Sequence, residues 1–168
     1  EVLSGVTAQV GNVVLIGMPG CGKSAVGYAL AKKLGKRFLD LDYQMEGEVR
    51  MPIPKIFAQR GEDAFRELES GIAREVGAYT GCVLSTGGGI VTREENYPPL
   101  HQNGVIIHLT RDLALLPTDG RPISQRTDLK ALWEQRKPLY AAFADLTIDN
   151  NGPLAETVQQ IEKELSKR

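Results

Sequence analysis

The sequence predicts an α/β fold built on a parallel sheet with helices covering both faces. Three observations lead there. Short apolar runs rich in β-branched residues recur along the 168-residue chain. Segments with helical spacing separate them, and glycine stops the first run. The first run, Val13-Val14-Leu15-Ile16, is apolar throughout, which marks a buried strand.

Val13-Val14-Leu15-Ile16 is the first strand, closed by Gly17. Residues 22–34 follow as a helix, with Val26, Leu30 and Leu34 at helical spacing and Gly35 as the stop. Residues 37–40 form the second strand. Residues 43–60 are helical but carry Pro52 and Pro54, which predicts two short helices, and 63–79 is a longer one. Residues 82–85 are the third strand, ahead of Gly87-Gly88-Gly89. A helix over 93–102 leads to the fourth strand, 105–109. Residues 117–128 are polar and rich in Pro, Gly, Ser and Thr, which predicts an exposed loop. A helix over 129–143, a strand over 146–148 and a helix over 153–165 complete the order, with Pro153 near the first turn of the last helix.

The length suits one domain, 1–168, with residues 1–10 as a lead-in. Apolar residues make up 42% and charged residues 24%, as in ordinary globular proteins. Twenty basic side chains against 21 acidic ones leave a net charge of −1, which argues against a nucleic-acid partner. No run approaches the ~18 apolar residues of a membrane span. Two cysteines, Cys21 and Cys82, make no disulfide framework and fit a reducing, cytoplasmic setting. A monomer is expected, and the missing initiator Met leaves room for a longer fused chain.

Residues 17–24, Gly-Met-Pro-Gly-Cys-Gly-Lys-Ser, match G-x-x-x-x-G-K-[ST] between a strand and a helix. Glycines let backbone N–H groups converge on phosphate oxygens, and the helix start aims its unpaired N–H groups at the same anion. Lys23 then reaches the β- and γ-phosphates of ATP, and the Ser24 hydroxyl ligates Mg²⁺. Cys21 is a small filler in this loop.

In a parallel sheet the ligand lies beyond the carboxyl ends of the strands. Asp40 and Asp42 follow the second strand, where alternation puts both carboxylates on one side. One is suited to the Mg²⁺ shell and the other to accepting a proton from a substrate hydroxyl, while a helix N-cap is the competing use of an Asp here. Gly87-Gly88-Gly89 allows close backbone approach of a ligand, or simply a tight turn. Arg66, Arg121 and Arg136 are each ordinary surface residues taken singly, although a guanidinium forks onto carboxylate or phosphate. His108, inside an apolar strand, reads as a packed core residue.

Taken together, these segments resemble the shikimate kinases over nearly the whole chain. The matching stretches are the loop 17–24, Asp40-Leu41-Asp42, residues 53–70 with Phe65-Arg66-Glu67-Leu68-Glu69, Thr86-Gly87-Gly88-Gly89, Gly120-Arg121-Pro122, and 136–149. The resemblance implies a three-layer P-loop kinase fold of the nucleoside monophosphate kinase type, with sheet order 2-3-1-4-5. It implies ATP-dependent phosphorylation of the shikimate 3-hydroxyl. It assigns the nucleotide to Gly17, Pro19, Gly20, Cys21, Gly22, Lys23, Ser24, Ala25 and Arg121, and the metal to Ser24 and Asp40. It assigns shikimate to Asp42, Arg66, Gly87, Gly88, Gly89 and Arg136, with Lys23, Asp42 and Arg121 catalytic. The region 111–127 is a shorter lid than the family's, without a clear counterpart of the lid arginine that often meets adenine. A gluconate kinase-like enzyme and a nucleotide-binding domain that has lost catalysis are the alternatives.

Overall fold

The computed structural model describes residues 11–117 and 123–168, with 123–127 described by backbone alone. Among the described residues five strands, β1 (Asn12–Ile16), β2 (Arg37–Asp40), β3 (Cys82–Ser85), β4 (Gly104–Thr110) and β5 (Leu146–Asp149), form one sheet in the order β2-β3-β1-β4-β5. Every pairing is parallel, with Val13 opposite both Val83 and Val105. β1 occupies the centre and is buried along its whole length, as its unbroken apolar run requires.

The helices are α1 (Lys23–Leu34), α2 (Leu41–Val49), α3 (Ile53–Gly77), α4 (Tyr97–His101), α5 (Ile123–Phe143) and α6 (Leu154–Ser166). α1 lies on β2 and β3 and meets α6, while α4 and α5 lie on β4. Gly35 ends α1 in a left-handed conformation, as its position predicts.

The helices over 41–77 follow the expected division, and two later expectations are corrected. α2 ends before Pro52, and α3 is kinked at Gly61, so two short helices up to residue 60 and a longer one beyond it form as expected. Pro52 and Pro54 sit at the N-terminus of α3, where a missing N–H breaks no bond, and the irregular point is Gly61 at φ 83. The helix over 93–102 shrinks to two 3₁₀ turns, parted by an extended Arg93 (φ −118, ψ 117), and the five-residue α4, whose first turn holds Pro98 and Pro99. The loop over 117–128 gives way to helix from Ile123. The lead-in 1–10 and Arg121 lie outside the described residues.

Candidate active site

The carboxyl ends of β1, β2 and β3 converge on one cleft of about 350 Å³, lined by Pro19, Gly20, Gly22, Lys23, Ser24, Ala25, Asp40, Asp42, Thr86, Gly87 and Gly88. A larger groove of about 660 Å³ opens at the other end of the sheet, among Asn12, Leu34 and Leu165, and contains none of these groups.

The loop after β1 is drawn tight by a Cys21 N–H bond to the Met18 carbonyl of 3.1 Å. Gly22, which precedes α1, has φ 97, and a Cβ there would lie 2.5 Å from Asn150 Nδ2. That amide donates to the Cys21 carbonyl at 2.7 Å and its oxygen accepts from Thr157 Oγ1 at 2.6 Å, so a buried asparagine after β5 braces the loop from behind. Lys23 curls over the loop and donates to the carbonyls of Gly17 and Met18 at 2.8 and 2.9 Å. Burial lowers its pKa, and the charges around it, Asp42 and Asp40 among them, work the other way. Cys21 is buried beneath, its Sγ 3.8 Å from Lys23 Nζ, in keeping with a filler.

Ser24 Oγ donates to Asp40 Oδ2 at 2.7 Å and lies 3.3 Å from Ser85 Oγ. The other Asp40 oxygen accepts from the N–H groups of Asp42 and Tyr43, so Asp40 also caps α2. The two aspartates share the cleft through this strand-to-helix corner rather than through strand alternation, since α2 begins at Leu41. Among the described residues no group of three or more His, Cys, Asp or Glu is arranged for a metal. Mg²⁺ needs no such cage: it keeps several waters and takes one or two protein oxygens plus phosphate. Ser24 and Asp40, hard oxygen donors in hydrogen-bond contact, fit that requirement.

Across the cleft, the Asp42 carboxyl has its pKa raised, first by burial and next by Asp40, with Lys23 opposing. A Cβ on Gly87 would stand 2.9 Å from both Asp42 Oδ1 and Glu69 Oε2, so the glycine threads between two carboxylates. Arg66, buried on α3, pairs with Glu69 at 2.8 Å and lies over the rings of Phe57 and Phe65. Glu69 is 1% exposed; burial raises its pKa against the pull of Arg66. Arg136 on α5 adds its charge to the fields at Glu69 and at the Tyr140 hydroxyl.

A model of the family described as shikimate kinase matches residues 19–166. The chain belongs to the shikimate kinase family. Shikimate kinases of Ruegeria pomeroyi and a Nostoc species are 41% and 43% identical over 157 and 159 residues, covering 88% and 89% of this chain and 80% and 86% of theirs. The structure of the Acinetobacter baumannii shikimate kinase in complex with shikimate superposes with a TM-score of 0.88 at 32% identity, over 98% of this chain and 97% of that one. A gluconokinase from Sinorhizobium meliloti, at 19% identity and TM-score 0.63, shares the fold.

Within this shikimate kinase frame, most of the residues singled out from sequence meet at one cleft. Gly17 and Gly89 are the exceptions among the glycines: Gly17 lies against Leu109 and Cys21, and Gly89 against the Arg66 guanidinium, rather than on the cleft surface. Glu69, Ser85, Tyr140 and Asn150 were not singled out. Glu69 carried a signal, since it stands three residues after Arg66 on one helix face, and Tyr140 stands four after Arg136. Asn150 carried none, because its partner lies 129 positions away.

Proposed function

We propose that the chain transfers the γ-phosphoryl group of ATP to the 3-hydroxyl of shikimate, giving shikimate 3-phosphate and ADP in the shikimate pathway that leads to aromatic amino acids. The observation that carries the proposal is the single cleft joining Lys23, Ser24 and Asp40 to Asp42 and Gly88, in a chain whose relatives are shikimate kinases.

In this reading the phosphate tail of ATP lies along the N–H groups of residues 17–25. Lys23 exchanges its bonds to the Gly17 and Met18 carbonyls for phosphate oxygens. Ser24, with Asp40 behind it, would hold Mg²⁺, which would supply positive charge against that developing on the phosphates. Arg66 and Arg136 grip the shikimate carboxylate, where a planar fork suits a planar acid. Backbone groups of Gly87 to Gly89 border the ring. Asp42 orients the 3-hydroxyl and takes its proton; its raised pKa brings it closer to neutral pH and makes it a better base. The hydroxyl oxygen bonds to the γ-phosphorus as the bond to the β–γ bridging oxygen breaks in line, and ADP leaves. Lys23 and Arg121 stabilise the charge on the transferred group.

The reading extends to one catalytic domain acting as a monomer in the cytoplasm on small molecules. The two buried free cysteines, Cys21 and Cys82, support a reducing compartment. A coupled assay of ADP release with ATP and Mg²⁺ tests the proposal. Turnover of shikimate and not of gluconate is expected. Turnover of gluconate alone would move the chain to the sugar-acid kinases, and ATP binding without ADP release would make it a domain that has lost catalysis.

A further inference from the structure

The carbonyls of Gly87, Gly88 and Gly89 are all held by the protein. Gly87 O accepts from the Ile90 N–H at 3.1 Å, and Gly89 O accepts from the N–H and the hydroxyl of Thr92 at 3.0 and 2.6 Å. Both are local bonds within one turn. Gly88 O differs, since its donor is the Tyr140 hydroxyl on α5, 2.7 Å away and 52 positions along the chain. Among the described residues none of the three glycine N–H groups donates to the protein.

A trans peptide is planar, with its C=O and N–H pointing in opposite directions. Holding Gly88 O toward α5 therefore turns the Gly89 N–H away from α5. The Arg66 guanidinium fills the space beside Gly89 where a side chain would stand. The Tyr140 hydroxyl also bonds to the Arg136 side chain and has little further freedom. Its residue is fully buried, and its ring stacks on His108 with centroids 4.7 Å apart and lies near-parallel to Trp133 at 6.3 Å. Arg136, one turn earlier on the same helix, faces the same region.

We propose that Tyr140 is a positioning residue for the acceptor: its hydroxyl fixes the Gly88–Gly89 peptide so that the Gly89 N–H stands beside Arg66 as a donor to bound shikimate. One turn of α5 thus supplies both a charge for the acid, from Arg136, and the orientation of the glycine turn, from Tyr140. This inference rests on shikimate being the acceptor.

Tyr140→Phe keeps the stacked ring and removes only the hydroxyl. The shikimate KM is expected to rise roughly tenfold, the effect of leaving one carbonyl without its donor, while the ATP KM stays at the wild-type value. A merely structural role would move both KM values together in step with the melting temperature. Ile161→Val, in the core on α6, serves as a comparator of reduced stability that keeps both KM values. An unchanged shikimate KM, or a joint rise in both, overturns the assignment. If Tyr140→Phe yields no folded protein, the Gly89 amide resonance of the wild-type chain decides: it shifts on addition of shikimate, and an unmoved resonance overturns the assignment. Wild-type turnover of shikimate, measured alongside, separates this from failure of the functional reading, which alone predicts no turnover at all.

Discussion

The Ser24 hydroxyl donates to Asp40 Oδ2 across 2.7 Å, tying the first turn of α1 to the corner between β2 and α2. Asp40 uses its second oxygen to cap α2. These two uses can be separated. Asn caps a helix as well as Asp does, so Asp40→Asn should melt close to the wild type. It loses the negative charge that faces Mg²⁺. The Mg²⁺ concentration for half-maximal turnover should rise about tenfold, in line with the greater strength of charge-assisted contacts. A magnesium titration with parallel thermal melts checks this. A lower melting temperature with an unchanged magnesium requirement would leave Asp40 as a cap alone.

Arg66 and Arg136 should fail in different ways. Arg66→Ala strands the buried Glu69 carboxyl without its cation, a change that costs roughly 3–5 kcal/mol for buried pairs. Protonation of Glu69, already favoured by burial, offsets part of that. The variant should lose both stability and shikimate affinity. Arg136 is half-buried, so Arg136→Ala should raise the shikimate KM with little change in denaturant midpoint. Urea unfolding and steady-state kinetics on both variants give the comparison. A raised ATP KM in Arg136→Ala would move that arginine to the nucleotide side.

His108 sets a pH dependence. Burial first, and the Lys23 charge second, lower its pKa from 6.5 to about 4. The folded state therefore favours neutral imidazole. That preference is fully present above pH 6.5 and is lost as the pH falls toward 4, since the unfolded chain takes up the proton first. The difference is worth roughly 3 kcal/mol. Asp42 and Glu69 have raised pKa values and pull the other way at acid pH, so the wild type alone does not isolate the effect. His108→Phe keeps an aromatic ring against Trp133 and Tyr140. Its stability should decline less than the wild type's between pH 6.5 and 4, measured by urea unfolding at each pH. Parallel declines would remove His108 as the cause.

Asn150→Ala removes the brace behind the phosphate loop and leaves the Cys21 carbonyl and the Thr157 hydroxyl without a partner. The stability cost should be about 2 kcal/mol. The ATP KM should rise while the shikimate KM holds, because the acceptor residues hang from other elements. Equal effects on both would show a general loss of packing.

The phosphate loop was legible in sequence because its chemistry is local: eight consecutive residues between a strand and a helix suffice to define it. The central strand was legible as a continuous apolar run, and β2 and β5, with two apolar residues each, from their place between helical segments. The helix break before Pro52 and Pro54 and the second one between 60 and 63 were legible too, and the second falls at Gly61 with φ 83. Arg66 and Arg136 gained meaning through the resemblance, and the structure shows why the residues alone could not give it. Arg66 is a buried, paired side chain on a helix whose sequence looks solvated, and the Tyr140 bond to Gly88 spans two elements that no spacing rule connects.

The brace between Asn150 and Cys21 has a consequence for biosynthesis. The phosphate loop leaves the ribosome early, yet the asparagine that steadies it is made 129 residues later. At cellular translation rates that interval is on the order of ten seconds. Throughout it the glycine-rich segment lacks its Asn150 contact. The brace behind the loop therefore forms only after the fifth strand has been made.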